Sequence, residues 1–231
     1  ALAVNHPQHV GVKNSKPMTD REVSMHARRF GWTALAALIG GSLVTPAPAL
    51  SQAAEIVSTY TSTAKKNCRT IGKPAPEDDG FVHLSPGPGK LVVLNMDGDL
   101  REVVSVGTSR ATAEKQPAAQ AWFGPFSSTT RTIEWRHAKG AVPFAIIQRW
   151  HLADNDDPGP DHRPRTKQML VVTRLPPGPV CHTAFVDVAA NPDANELARK
   201  AADAAAAFDC AKDKVRAAGQ SGRAIALAMP R

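Results

Sequence analysis

Along the middle of the chain, apolar and polar positions alternate, and the alternation predicts strands. Between residues 130 and 138, Ile133 and Trp135 point one way and Glu134 and Arg136 the other, the period of a half-buried strand. Between 144 and 152, Phe144, Ile146, Gln148, Trp150 and Leu152 share one face, while Ala145, Ile147, Arg149 and His151 share the other. Residues 91–96, 100–106, 168–175 and 180–189 are rich in Val and Leu and read as four more strands. Asp97-Gly98 between the first two predicts a hairpin, because its turn requires positive φ. The connections are short and hold no helix, so the strands should pair antiparallel.

The period then changes. Asn191 is a good N-cap, Pro192 suits the first helical position, and Asp193 and Glu196 complement the helix dipole. Leu197, Ala201, Ala204 or Ala205, and Phe208 form one apolar stripe. The predicted fold is therefore α+β: an antiparallel sheet of about six strands with a C-terminal helix packed on one face. Geometry also predicts a crosslink. From Cys181, eight strand steps advance the chain about 26 Å, and a helix of about 17 residues returns it about 26 Å to Cys210. A Cys181–Cys210 disulfide follows. Residues 211–231 lose their pattern after Gly219 and read as a flexible tail.

Residues 25–53 carry a different signature. Arg28 and Arg29 precede a run of about 13 apolar residues, 32–44, too short to span a bilayer as a helix. Pro46 and Pro48 end the run, and Ala47-Pro48-Ala49 and Ser51-Gln52-Ala53 offer cleavage sites. This predicts a secretory signal peptide, with 1–24 as a disordered leader or over-extended start and 54–210 as one globular domain. No stable membrane insertion is expected after cleavage. Five bases and two acids precede Ala54, so the chain beyond it carries 23 Lys+Arg against 19 Asp+Glu, a net charge of +4. That excess is modest, and no basic stripe interleaves with aromatics, so no nucleic-acid partner is expected. In an exported chain, Cys68, Cys181 and Cys210 read first as disulfide candidates.

Taken together, Ile133-Glu134-Trp135-Arg136, the strands at 144–150 and 170–175, Cys181-His182 through Asp187, Asn191-Pro192 through Asp203, and Cys210 form a recognisable set. The stretch from Cys68 to Cys210 resembles a group of uncharacterised small exported proteins of Gram-negative bacteria, which carry no assigned activity. The resemblance implies export to the periplasm or beyond. It also implies a fourth cysteine near the place where Ser85 stands, which would leave Cys68 without its partner. It supplies no catalytic residue.

Candidate chemistry is sparse. Pro86-Gly87-Pro88-Gly89-Lys90 fails as a phosphate loop, with Leu84 where a Gly belongs and Leu91 in place of Ser or Thr. In the acidic loop, Asp154, Asp156 and Gly159 match positions one, three and six of a calcium loop. Pro158 and Arg165 occupy positions five and twelve, so Asp154, Asp156 and Asp161 are only weak metal candidates. His151, His162 and His182 lack a paired metal spacing. No cofactor is expected. Trp122 and Phe126, in an aromatic turn, are either a core plug or the wall of a ligand groove. Glu134, Arg136, Arg149, His151 and Arg174 lie on strands; where alternation puts them on one polar face they would either suit an anionic ligand, with Arg136, Arg149 and His151 as its contacts, or pair charges across strands. The functional expectation is a periplasmic, non-enzymatic binding or accessory protein with an envelope ligand or protein partner. A rival is a small envelope hydrolase using Glu134, His151 and Asp154, provided those groups converge. A third is an assembly factor whose aromatic segment 122–126 meets a partner.

Overall fold

The structure is a computed structural model and describes residues 54–70 and 80–229. The signal-like segment 25–53 and the leader 1–24 lie outside the described residues. In chain order the elements are β1 (Ile56–Ser62), β2 (Arg69–Thr70), β3 (Phe81–Pro86), β4 (Val92–Gly98), β5 (Arg101–Gly107), α1 (Arg110–Glu114), β6 (Ser127–Ala138), β7 (Ala145–Pro158), β8 (Pro164–Arg174), β9 (His182–Asp187), α2 (Ala194–Asp203), β10 (Arg216–Ala217) and α3 (Arg223–Ala228).

The strands form one ten-stranded mixed sheet, ordered β10-β9-β8-β7-β6-β5-β4-β3-β2, with β1 paired to β6 off that path. Two joins are parallel: β10 on β9, and a single bridge, Arg101 to Ser127, between β5 and β6. This overturns the expected architecture of about six antiparallel strands ending in a helix. The polar β1 carries serines and threonines in place of an apolar run, and it pairs with β6 from Ile56–Ala138 to Ser62–Thr132. Strand β3 sits inside a stretch rich in Pro, Gly and Asp, where composition reads as loop. Residues 216–228, expected in a flexible tail, supply β10 and α3, and Ile225 of α3 is buried in the core. The helix α2 is thus not the last element.

Alternation along β6 and β7 sorts the core into two clusters. On the inner face, Ile133, Trp135, Ile146, Trp150 and Leu152 meet Val93, Val104 and Val106 from β4 and β5, and Ile225 from α3. On the outer face, Ala145, Ile147, Leu170, Val172, Ala184 and Val186 meet Ala194, Ala198, Ala201 and Ala202 of α2. Fully buried Trp135 organises the inner face. Its indole N–H donates to Thr61 Oγ1 on β1 at 2.8 Å. Its ring lies so close to Gly87, in the turn after β3, that an added Cβ would stand 2.8 Å from it.

Two local expectations shift. The β4–β5 hairpin forms, but Gly98 pairs with Arg101, so the two-residue turn is Asp99-Leu100, with φ of 52° and 57°. Asn191 does not cap α2; Asp193 holds that position. The Asn191 side chain reaches the C-terminal segment instead: Nδ2 donates to Asp187 O and Gln220 O, and Oδ1 accepts from Gln220 N, all at 2.8 Å. The buried Asp187 carboxylate completes that anchor, with Oδ2 accepting from Ala224 N at the start of α3 at 2.8 Å.

Candidate functional site

The rival hydrolase requires Glu134, His151 and Asp154 to converge, and they do not. Glu134 is opposite Ile147 on β7, four residues from His151, a separation of about 13 Å along the strand. Its Oε1 accepts from Arg199 Nε of α2 at 2.6 Å, and Ser58 Oγ donates to the same oxygen. Burial alone would raise this carboxyl. The hydrogen bonds from Arg199 and Ser58 outweigh it and hold the group below its usual range. Arg136 joins the same network. It is buried, its Nε and Nη2 donate to the two Asp203 oxygens at 2.9 Å, and Nη1 donates to Ser58 Oγ at 2.7 Å. The anion-binding reading of Arg136 fails because a carboxylate from α2 already occupies its fork.

Buried Asp154 is held by Arg223 of α3, with Nε donating to Oδ2 at 2.8 Å. The Arg223 hydrogen bonds keep the Asp154 carboxyl below its ordinary value. Asp156 accepts from the same guanidinium, and Asp161 accepts from Arg163 N at 3.2 Å. These three acids serve the loop and α3. No grouping of three or more His, Cys, Asp or Glu suited to a metal occurs among the described residues. Arg149 donates to Gln168 Oε1 at 2.7 Å on the surface. Half-buried His151 is depressed by desolvation and then by Arg149. His182 lies opposite Thr173, which pairs with Ile146, so along the strands it is five residues from His151, about 16 Å. His151 and His182 therefore form no common site.

The aromatic turn divides between the two roles expected of it. Phe123 is the plug: it is buried, with its ring 5.0 Å edge-on from Trp150 and 5.5 Å edge-on from Phe185. Trp122 and Phe126 face outward, 52% and 43% exposed, with Leu100 nearby at 61%. Arg101 stacks over Phe126 at 5.0 Å, and its Nε and Nη2 donate to Gly124 O at 3.1 and 2.9 Å, which pins the loop. Trp122 and Phe123 wall two cavities. One, of about 620 Å³, adjoins Asp99 and Arg101 at the hairpin tip. The other, of about 260 Å³, runs back to His182 and the disulfide. A third, also about 260 Å³, lies under Leu100, Phe126 and His151.

The Cys181–Cys210 disulfide is formed, with its Cα atoms 5.9 Å apart, and Cys68 is free. The thiol of Cys68 lies against Ser85 Oγ. The disulfide is compatible with an exported protein. No helix of the described residues is long and apolar enough to cross a membrane. Neither a protein-family model, nor a curated protein, nor a solved structure matches this chain.

Sequence reasoning missed the depth of the site behind Trp122. Phe208, Asp213, Val215 and Ala228, from the segment around and after Cys210, line the cavity on the disulfide side. One signal was available: His182 opens a fully buried strand beside a crosslinked cysteine.

Proposed function

We propose that this chain is an exported, periplasmic, non-enzymatic binding protein whose contact element is the loop around Trp122. One observation carries the reading: a half-exposed tryptophan stands at the shared wall of two cavities. Proteins bury large aromatics in small cores, and an exposed one fixed beside concave apolar surface marks a place where ligands dock. The candidate catalytic carboxylates support the same reading, since Glu134 and Asp154 are both neutralised by arginines from helices. The signal-like segment 25–53 and the disulfide support export.

A titration with 8-anilinonaphthalene-1-sulfonate tests the proposal. The expected result is one saturable site that quenches tryptophan fluorescence and is lost in Trp122→Ala, while the thermal midpoint stays unchanged. Equal binding by Trp122→Ala would overturn it. For the compartment, the periplasmic fraction of the producing cell should contain a polypeptide starting near Ala54. Retention of residues 25–53 in a cytosolic fraction would refute export.

A further inference from the structure

β1 offers an open sheet edge. It pairs with β6 over seven residues in unbroken antiparallel register, and among the described residues no strand pairs with its other side. The run Ile56-Val57-Ser58-Thr59-Tyr60-Thr61-Ser62 holds no charge, no proline and no glycine. Exposed edges are ordinarily kept short, charged or broken by proline, because a bare edge is a template for another strand. β2 and β10, at the two ends of the sheet path, follow that rule with two residues each. So does the projecting arm of β7 and β8, which carries Asp156, Asp157, Pro158, Pro164 and Arg165. β1 does not.

The ladder shows which backbone groups are open. Lys139 N donates to Glu55 O at 2.9 Å, and Thr63 N donates to Arg131 O at 2.7 Å, so both ends of the β1–β6 ladder are hydrogen-bonded pairs. Such pairs recur at every second residue, so Val57, Thr59 and Thr61 bond β6, while Ile56, Ser58, Tyr60 and Ser62 turn N–H and C=O outward. Ser62 O accepts from Asn67 Nδ2 at 3.4 Å, which leaves Ile56, Ser58 and Tyr60. Their side chains share the α2 side of the sheet, where Tyr60 accepts from Arg199 Nη2 at 3.3 Å and Ser58 meets Glu134 and Arg136. Ile56 and Tyr60 are 40% and 56% exposed. A second copy of this chain fits that edge. Antiparallel pairing about a twofold axis at Ser58 sets Ile56 opposite Tyr60 of the partner subunit, and Ser58 opposite Ser58 of the partner subunit. In this register Ile56, Ser58 and Tyr60 pair only among themselves, each pair exchanging both N–H···O=C bonds. Aromatic and β-branched side chains then meet across the strands, a favourable cross-strand pair. Glu55 falls opposite Thr61 of the partner subunit, so no like charges meet there.

We propose that β1 is a homodimerisation edge: two copies of this chain join antiparallel through β1 in a closed twofold dimer that continues the β1–β6 ladder into the partner. A single edge strand is a small interface, so the dimer is a weak one, with a Kd of roughly 1–100 μM. The inference is independent of the Trp122 reading, since no β1 residue lines any of the three cavities described above.

Sedimentation velocity across roughly 1–500 μM protein should show a monomer passing to a dimer and to nothing larger. Ile56→Lys with Tyr60→Lys sets like charges at both facing positions and should raise the Kd by more than about 10-fold. Ile56→Lys with Tyr60→Glu sets opposite charges at the same positions and should bring the Kd back to within about 3-fold of wild type. Both side chains are exposed, so the circular dichroism spectra of the two variants should match that of wild type. The wild-type protein supplies a readout that needs no substitution. Raising its concentration should slow amide exchange at Ile56, Ser58 and Tyr60, whereas Val57, Thr59 and Thr61, bonded to β6, should not change. A monomer at every concentration would overturn the proposal. Dimers that form without slowing Ile56, Ser58 and Tyr60 would overturn it as well. Equal Kd values for the like-charge and opposite-charge variants would overturn the register, and growth beyond a dimer would overturn the closed twofold.

Discussion

Under α2 the central strands present only alanine, valine, leucine and isoleucine to the core; on the opposite side tryptophan, phenylalanine and methionine join isoleucine, leucine and valine. The two faces are also covered differently. The outer cover follows β9 almost at once, so it closes by a short loop. Its rim is a chain of paired charges, Arg199 on Glu134, Ser58 between Glu134 and Arg136, and Arg136 on Asp203. The inner cover arrives from far away in sequence: β4 and β5 from one side, Phe123 from a loop, and α3 from the chain end. Small side chains under one helix form one buried cluster with a paired polar rim. Large rings delivered by separate segments leave spaces between them, and the buried His182 is part of the wall of one such space. The outer face is a structural seam. The inner face combines stability with open cavities.

The strongest way to break this comparison is to remove the ring that holds the inner cover together. Trp135→Ala deletes a fully buried indole, its hydrogen bond to Thr61, and the seat of the turn at Gly87. Denaturant unfolding should show a loss of about 3–5 kcal/mol. Arg136→Ala on the outer face, whose partner Asp203 keeps access to water, should cost less, about 1–3 kcal/mol. Equal costs would mean that the ion-pair rim and the ring core carry the fold alike.

Acid should also separate the faces. Burial lowers the His182 pKa to about 4 from an unfolded value near 6.5. Between those values the unfolded state binds a proton that the folded state refuses, so stability is full above pH 6.5 and falls as pH drops towards 4. The loss approaches about 3 kcal/mol, the linkage equivalent of the shift. Glu134 on the outer face has its pKa depressed, so its contribution persists until the pH falls below the ordinary carboxylate range. His83 and His151 are lowered as well, chiefly by desolvation, so the difference between wild type and His182→Gln isolates the buried ring. A wild-type profile between pH 6.5 and 4 parallel to that of the variant would remove His182 from the account.

Much of the outer face was legible in the sequence, because it is made by local periodicity. Alternation in 144–152 sorted Ile146 and Trp150 from Ala145 and Ile147, and the core clusters divide at the same residues. The Cys181–Cys210 disulfide was expected and is formed, although α2 has ten residues in place of about 17 and a short 3-10 turn at Ala205–Ala207 carries the chain on towards Cys210. Strand count failed where identity depends on distant partners. β1 is polar and becomes a strand by pairing with β6, and β10 is two residues lodged against Ala184 and Phe185. Asn191 resembled a cap because caps and long-range anchors use the same side-chain amide. The aromatic turn was legible as a choice between plug and groove. Only the fold could place Phe123 in the core and leave Trp122 half-exposed beside two cavities.

The inner cover can also be strengthened. Ser85 on β3 lies against the thiol of Cys68, one residue before β2. Ser85→Cys should form a second disulfide and add about 2–3 kcal/mol for a loop of this length. The free-thiol count should fall from one to zero, measured under denaturing, non-reducing conditions. A count of two would show that β2 and β3 do not hold these side chains together. The cavity behind Trp122 contains none of these residues, so probe affinity should not change.

The smallest effect lies at the hairpin tip. A two-residue turn with both φ positive favours Asn and Gly, and a leucine there is strained by about 1 kcal/mol. Leu100 holds φ 57° and is mostly exposed, so no buried contact offsets the strain. Leu100→Asn should therefore raise the thermal midpoint by about 1–3 °C. Leu100 lines the cavity under Phe126 and His151 but neither of the cavities bounded by Trp122. Binding of the anilinonaphthalene probe should therefore survive a change that stabilises the fold. A gain in stability with binding intact would place the ligand site behind Trp122 alone. A loss of binding would make the apolar tip and the Trp122 wall one continuous surface, and the inner face would then begin at the hairpin.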